Sequence, residues 1–149
     1  MLKEVSKALF EEQTRGLNTK LSKSRGWIIH NAEFPIIDCE FSEDGWQGLR
    51  VRMECSEWDE RPPSIELQSP DGSALPEEMV PVGSTNVFNK SRHQNTQRPF
   101  VCMRGSYEYH THSSHTNDLW SPLRGKSAYT LGEILSQLWN AWKKDRKKC

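Results

Sequence analysis

The chain has 149 residues, a net charge of zero from 20 acidic and 20 basic residues, and a mean hydropathy of −0.81. That length suits one ordinary domain with a single core. Six tryptophans and the zero net charge argue against a disordered chain. No apolar run approaches the roughly 18 residues of a membrane-spanning helix, and the charged N-terminus lacks a signal-peptide core. We therefore expect a cytoplasmic protein without a membrane partner.

The first half of the chain predicts one helix followed by short strands. Leu2, Val5 and Leu9 recur at helical spacing within the first fifteen residues. The clearest strand is Leu49 to Cys55, because apolar and charged residues alternate there with period two. The other expected strands are Trp27 to Ile29, Pro35 to Cys39 and a short alternation at Ile65 and Leu67.

The second half predicts an irregular stretch and a final helix. Residues 73–99 are rich in Pro, Ser, Asn and Gln, and a stretch of that length either carries function or hides a strand. Thr130 and Glu133 form a capping box, after which apolar residues repeat at helical spacing as far as Trp142. The order of elements predicts an α+β fold with an N-terminal helix, an antiparallel meander sheet and a C-terminal helix. We expect one domain over residues 1–142 and a flexible basic tail over residues 143–149.

Charge is unevenly distributed along the chain. Residues 33–78 contain 13 acidic and 3 basic residues, whereas residues 84–149 contain 11 basic and 4 acidic residues. This segregation is either an ordinary solvated surface or a dipole that orients a protein partner. Nucleic acid is not an expected partner, because the one dense basic run is the C-terminal tail and it has no interleaved aromatic residue.

Cys102 is the cysteine with a chemically distinctive neighbourhood. Cys55 falls on the apolar face of its strand and is expected to be a core thiol. Cys102 lies where the irregular stretch ends, with four histidines and three arginines within about thirteen residues. Nearby positive charge or a base raises the thiolate fraction of a partly exposed thiol, so Cys102 is a candidate nucleophile. The alternative is an inert small hydrophobic residue.

The histidine cluster His110, His112 and His115 also allows a metal interpretation. In a strand, His110 and His112 would face the same side, and Cys102 or Asp118 could add a ligand. No known zinc-motif spacing accompanies them, so no metal and no cofactor is expected. The preferred interpretation is a polar loop that lines an active site.

Three motifs, in order, resemble the ubiquitin-conjugating (UBC) fold. The run Trp58 to Leu67 is similar to the family's Tyr-Pro-Phe-x-Pro-Pro-x-Val-x-Phe. His93-Gln94-Asn95 precedes Cys102 where the family has His-Pro-Asn before its catalytic cysteine. Trp-Ser-Pro, beginning at Trp120, precedes the last helix as it does in the family.

The departures from that pattern indicate a branch of the family. Gln94 replaces the proline, the spacing from the triplet to Cys102 is one residue short, and Cys102 and Trp120 are 18 residues apart, about twice the eukaryotic spacing. The run from Arg98 to His112 resembles prokaryotic members. More narrowly, it resembles the conjugating proteins encoded beside cGAS-like nucleotidyltransferases in CBASS antiphage systems, in their short stand-alone form.

The resemblance implies a thioester relay. Cys102 would hold the C-terminus of the cGAS-like nucleotidyltransferase as a thioester and pass it to an amine, regulating that enzyme in antiviral defence. It implies Asn95 as a donor to the oxyanion, and His112 or His110 is a candidate base. Whether a separate activating enzyme loads Cys102 is open. Two alternatives stay open as well: a non-catalytic scaffold that binds the nucleotidyltransferase, and a metal-dependent hydrolase built on the histidine cluster.

Overall fold

The computed structural model describes all 149 residues and has an α+β architecture. The helices are α1 (Lys3–Thr14), α2 (Lys20–Ser24), α3 (Tyr107–Thr111) and α4 (Leu131–Asp145). The strands are β1 (Trp27–Asn31), β2 (Ile36–Phe41), β3 (Leu49–Glu54), β4 (Ser64–Gln68), β5 (Phe88–Asn89) and β6 (Phe100–Val101). Single 3-10 turns lie at Glu77–Met79, Ser113–His115 and Ser127–Tyr129. The α+β prediction, with helices at both ends of the chain, is confirmed.

The first four strands form an antiparallel sheet in the order β1-β2-β3-β4. The predicted alternation in β3 is observed, since Leu49, Val51 and Met53 are buried and the residues between them are partly exposed. Met53 pairs with Ile37 of β2 and Ile65 of β4, so neighbouring strands present apolar residues to the same face. That face is one wall of the core.

Helix α4 supplies much of the rest of the core. Thr130 caps it by accepting a hydrogen bond from the backbone N–H of Glu133, which confirms the capping residue. Its buried stripe joins the sheet's apolar face in a single hydrophobic cluster. Phe41 of β2 meets Trp142 of α4 with ring centroids 5.9 Å apart. No helix of the structure has the length and apolar character that crossing a membrane would require.

The irregular stretch does contain a strand. The two residues of β5 pair antiparallel with β6, directly before Cys102. Two short helices were not predicted. α2 is capped by Thr19, and α3 is capped by Ser106, whose hydroxyl accepts from the backbone N–H of Tyr109 at 3.1 Å. Five-residue helices contain too few apolar repeats to show periodicity in the sequence.

Residues 143–149, expected to form a flexible tail, dock on the domain. The expected boundary at residue 142 lies inside α4, and the buried carboxylate of Asp145 accepts hydrogen bonds from the backbone and hydroxyl of Thr85. The guanidinium of Arg146 lies 4.1 Å from the ring centroid of Trp46. The backbone N–H of Gln47 donates to the carbonyl of Lys147 at 2.7 Å. The segment is thus part of the fold.

Candidate active site around Cys102

The four cysteines occupy three kinds of environment. Cys39 is buried in β2 and Cys55 is buried directly after β3. Burial raises the pKa of the Cys39 thiol to about 12 and raises the pKa of Cys55 as well. Cys149 is exposed at the end of the chain. Cys102 directly follows β6 and is half-buried, and its backbone N–H donates to the carbonyl of Val87 at 2.6 Å. It is the cysteine that combines a fixed backbone with partial access.

A histidine contacts the Cys102 thiol. The Nε2 atom of His115 lies 3.6 Å from Sγ of Cys102. Partial burial raises the pKa of this thiol, so the thiolate is disfavoured near neutral pH and its formation calls for a base. His115 is in the right place to accept that proton at Nε2. Its Nδ1 then carries the hydrogen of the neutral ring.

Tyr109, Asp118 and Arg104 lie behind His115. The Tyr109 ring stacks on His115 with centroids 4.0 Å apart and an interplanar angle of 18°. The Tyr109 hydroxyl donates to Oδ2 of Asp118 at 2.5 Å, and Arg104 Nε donates to the same oxygen at 2.7 Å. These two bonds lower the pKa of Asp118, while burial and then Asp118 raise the pKa of Tyr109. Asp118 therefore stays ionised and Tyr109 protonated around neutral pH.

His110 has a structural position. The backbone N–H of Gly105 donates to its Nε2 at 3.1 Å, so Nδ1 carries the hydrogen and donates to the carbonyl of Asp118 at 2.8 Å. Burial lowers the pKa of this imidazole, which keeps it neutral. Both ring nitrogens are therefore occupied by the backbone.

His112 lies beside the Cys102–His115 pair. Its ring stacks on Phe100 with centroids 5.3 Å apart, and its Nδ1 accepts from the backbone N–H of Ser114 at 3.1 Å. Desolvation, followed by the charges of His93 and His115, lowers its pKa. The rings of His112 and His115 are 6.0 Å apart. The role of His112 as base stays a prediction, and His115 is the imidazole that contacts the thiol.

In the His-Gln-Asn triplet, the side chains of His93 and Gln94 form hydrogen bonds to the backbone, and that of Asn95 does not. His93 is buried, with Nε2 3.0 Å from the carbonyl of Glu108, and its Nδ1 accepts from the backbone N–H of Asn95. Gln94 accepts from the backbone N–H of Ser113 at 3.0 Å and so ties the triplet to the turn that carries His115. The Asn95 side chain is exposed and forms no hydrogen bond within the chain. Its role as an oxyanion donor stays a prediction.

The histidines do not form a metal-binding group. His110 lies in a helix rather than in a strand, so the same-side arrangement that a strand would give His110 and His112 is absent. Both nitrogens of His110 are engaged by the backbone, which leaves no lone pair for a metal ion. No three His, Cys, Asp or Glu residues are grouped closely enough to hold one. This geometry gives the metal-dependent hydrolase hypothesis no donor set.

Two of the three sequence motifs contact each other. Nε1 of Trp120 donates to the carbonyl of Asp59 at 2.8 Å, and the rings of Trp58 and Trp120 lie 5.7 Å apart. Arg124 adds a hydrogen bond to the Asp59 carboxylate at 2.9 Å. The run that begins at Trp58 and the Trp-Ser-Pro motif therefore pack together in one corner of the domain.

His115 and Tyr109 are the site residues that the sequence did not indicate as such. The sequence places His115 among the histidines near Cys102 and in the possible metal cluster, but it indicates His112 or His110 as the base and gives Tyr109 no role. His115 lies thirteen positions after Cys102, and no general spacing rule connects a thiol to its base. The turn that brings them together depends on polar contacts such as those of Gln94 and His110.

A comparison with known protein families gives a match over the second half of the chain. Residues 72–145 match a family described as Y4jH-like, the Y4jH family. The matched region includes Cys102, His115 and the residues behind them, and it ends with α4. No curated protein matches the chain. The similarity therefore covers the candidate site and the C-terminal helix, and its description carries no activity.

Proposed function

We propose that this protein is a ubiquitin-conjugating-like cysteine acyltransferase with a UBC-like fold. Cys102 accepts the C-terminus of a cGAS-like nucleotidyltransferase as a thioester and transfers it to an amine. This transfer regulates the nucleotidyltransferase in bacterial antiviral (CBASS) defence. The family and the partner rest on the resemblance of the three motifs, and the chemistry rests on the geometry around Cys102.

One observation carries the proposed chemistry: the 3.6 Å contact between Cys102 Sγ and His115 Nε2. A nucleophile paired with a base is the arrangement that covalent acyl transfer uses. Cys102 is also partly exposed, whereas Cys39 and Cys55 are buried. The contact between the Trp58 run and Trp120 supports the resemblance, because it unites two of its motifs.

The reaction has two steps. In the first, the carbonyl carbon of an activated carboxyl group bonds to Sγ of Cys102, the activating group leaves, and the thiol proton passes to His115 Nε2. In the second, an amine attacks the thioester carbonyl, the C–S bond breaks, and the sulfur recovers a proton from the imidazolium. The neutral imidazole that results takes the surplus proton of the amine nitrogen, which leaves an amide, and later releases it to solvent. Each step passes through a tetrahedral oxyanion, for which Asn95 is the proposed donor.

The first experiment measures intact mass after co-expression of the chain with its genomic neighbours. Wild type, Cys102→Ala and Cys102→Ser are compared before and after hydroxylamine at neutral pH. We expect an adduct with the partner's mass on wild type that hydroxylamine removes. Cys102→Ala should form no adduct. Any adduct of Cys102→Ser would be an oxygen ester, which hydroxylamine at neutral pH leaves intact. Cys149→Ser, at the exposed cysteine, is the matched control and should keep the adduct.

A scaffold that binds the nucleotidyltransferase without chemistry is the second candidate. The exposed Asn95 side chain favours it, since no hydrogen bond fixes that amide as an oxyanion donor. Under this hypothesis the partner co-purifies equally with wild type and Cys102→Ala, and neither protein carries an adduct. That outcome would overturn the acyltransferase proposal.

A further inference from the structure

Nε2 of His115 contacts the Cys102 thiol, as a base would, but the other ring nitrogen, Nδ1, has no hydrogen-bond partner. In most nucleophile–base pairs a third group orients the imidazole through its other nitrogen. The only side-chain hydrogen bond of the His115 ring is the one to Cys102, so Nδ1 has no acceptor within the chain. Some other contact must hold the ring plane.

We infer that Tyr109 positions His115 for Cys102 by stacking on the imidazole, and that Asp118 and Arg104 hold Tyr109 in place. This inference rests on the proposed function and deepens it, because it specifies how the base of that site is oriented. Tyr109 touches neither Cys102 nor a substrate in this scheme. It is a positioning residue that acts through His115.

The stack fixes the orientation of the imidazole. The 4.0 Å centroid distance and 18° angle place the two rings nearly parallel and in contact. Rotation of His115 about its side-chain bonds would lose this contact, so the ring plane that directs Nε2 to Sγ is the one the stack favours.

Tyr109 itself is fixed from two directions. Its backbone belongs to α3, where Ser106 accepts from its N–H. Its hydroxyl donates to Asp118, whose carboxylate also accepts from Arg104, so the phenol is anchored at both ends. The anchor is charge-assisted, which makes it shorter and stronger than a bond between neutral groups.

The test measures how fast iodoacetamide alkylates Cys102 between pH 5.5 and 9. All proteins carry Cys149→Ser, and Cys39 and Cys55 are enclosed, so the modified thiol is Cys102. In this reaction Sγ bonds to the methylene carbon, iodide leaves and the proton goes to His115. The variants are His115→Ala, Tyr109→Leu, Tyr109→Phe and Asp118→Asn. Tyr107→Leu is the matched control, because Tyr107 is an exposed tyrosine of the same helix without a histidine stack.

We expect His115→Ala to slow alkylation at pH 7 about 100-fold, within the range of general-base catalysis. Tyr109→Leu should slow it about 10-fold and move the inflection of the pH profile toward that of His115→Ala. Without the stack, the His115 ring points its Nε2 at the thiol for only part of the time. Tyr109→Phe keeps the ring but loses the bond from its hydroxyl to Asp118, so it should slow alkylation about as much as Asp118→Asn. Asp118→Asn should slow alkylation about threefold by loosening the phenol, and Tyr107→Leu should change nothing.

An unchanged pH profile in Tyr109→Leu, folded by circular dichroism, would overturn the inference. If Tyr109→Leu does not fold, an Asp118→Asn profile identical to the parent would overturn it instead. The alkylation test is independent of the proposed function, because iodoacetamide reacts with Cys102 without any protein partner. If the alkylation profiles change as expected but no partner adduct forms, the acyltransferase proposal is rejected and the role of Tyr109 stands. If the adduct forms but the profiles do not change, the acyltransferase proposal stands and the role of Tyr109 is rejected.

Discussion

The sheet and the active-site segment, residues 88–120, are held together by different interactions. In β1 to β4 a continuous backbone ladder and one shared apolar face set the geometry. In the active-site segment the strands are two residues long, and side chains bond the backbone instead. Ser106 donates to the carbonyl of Val101 at 2.8 Å, and His110 bridges Gly105 and Asp118. The geometry around Cys102 therefore depends on individual polar contacts, which single substitutions can remove while the sheet stays folded.

The largest expected effect comes from a core substitution in the sheet. Phe41 is fully buried and its ring lies 5.8 Å from that of Trp27 and 5.9 Å from that of Trp142. Phe41→Ala should lower the free energy of unfolding by about 3–5 kcal/mol, since it removes a large buried side chain and leaves a cavity. Denaturant unfolding measures this change. Ile28→Ala, at a 44% exposed position of β1, is the control and should cost about 0.5 kcal/mol or less.

A smaller effect is expected where the segment joins the sheet. The buried carboxylate of Glu108 accepts from the backbone N–H of Ile65 at 2.8 Å and from the hydroxyl of Ser64 at 2.6 Å. Glu108→Ala should cost about 1–3 kcal/mol, because it leaves a buried N–H unpaired. Burial raises the pKa of this carboxyl, so the neutral Glu108→Gln is the matched variant and should retain most of the stability.

Hydrogen exchange can measure local opening of the active-site segment separately from opening of the sheet. Hydrogen exchange of α3 amides should accelerate in Glu108→Ala more than exchange in β2 and β3, since α3 loses its link to β4. Phe41→Ala should accelerate both regions together, because the core is shared. Equal acceleration of both regions in Glu108→Ala would show that the segment and the sheet unfold as one unit.

Much of the fold followed from the sequence because sheets and long helices leave periodic patterns. The alternation in β3 identified its buried face, and the capping box identified the first turn of α4. The docked C-terminus was not predictable in the same way. Its lysines and arginines predict a solvated tail, yet Arg146 packs on the ring of Trp46, a hundred positions earlier, as well as on that of Trp142 four residues before it. A contact between residues a hundred positions apart has no local signal.

The candidate site was only partly predictable for a related reason. Cys102 could be singled out by its position and its basic neighbourhood, and the imidazole beside it is that of His115 rather than of His112 or His110. Which of three nearby histidines would be that imidazole depended on the unpredicted α3 and on the turn that follows it. Side-chain bonds to the backbone determine that turn, and such bonds have no periodicity.

The smallest expected effect is confined to acidic pH and concerns His110. Burial lowers the pKa of His110 in the folded chain, so the unfolded chain binds this proton more readily. The contribution of His110 to stability is therefore complete above the ordinary histidine pKa, near 6.5, and is lost as the pH falls below it. His110→Gln cannot be protonated, so its unfolding free energy should fall less than that of wild type between pH 7 and pH 5.5. Denaturant unfolding of both proteins at the two pH values measures the difference, and a gap between them that is independent of pH would contradict the burial of a neutral imidazole at this position.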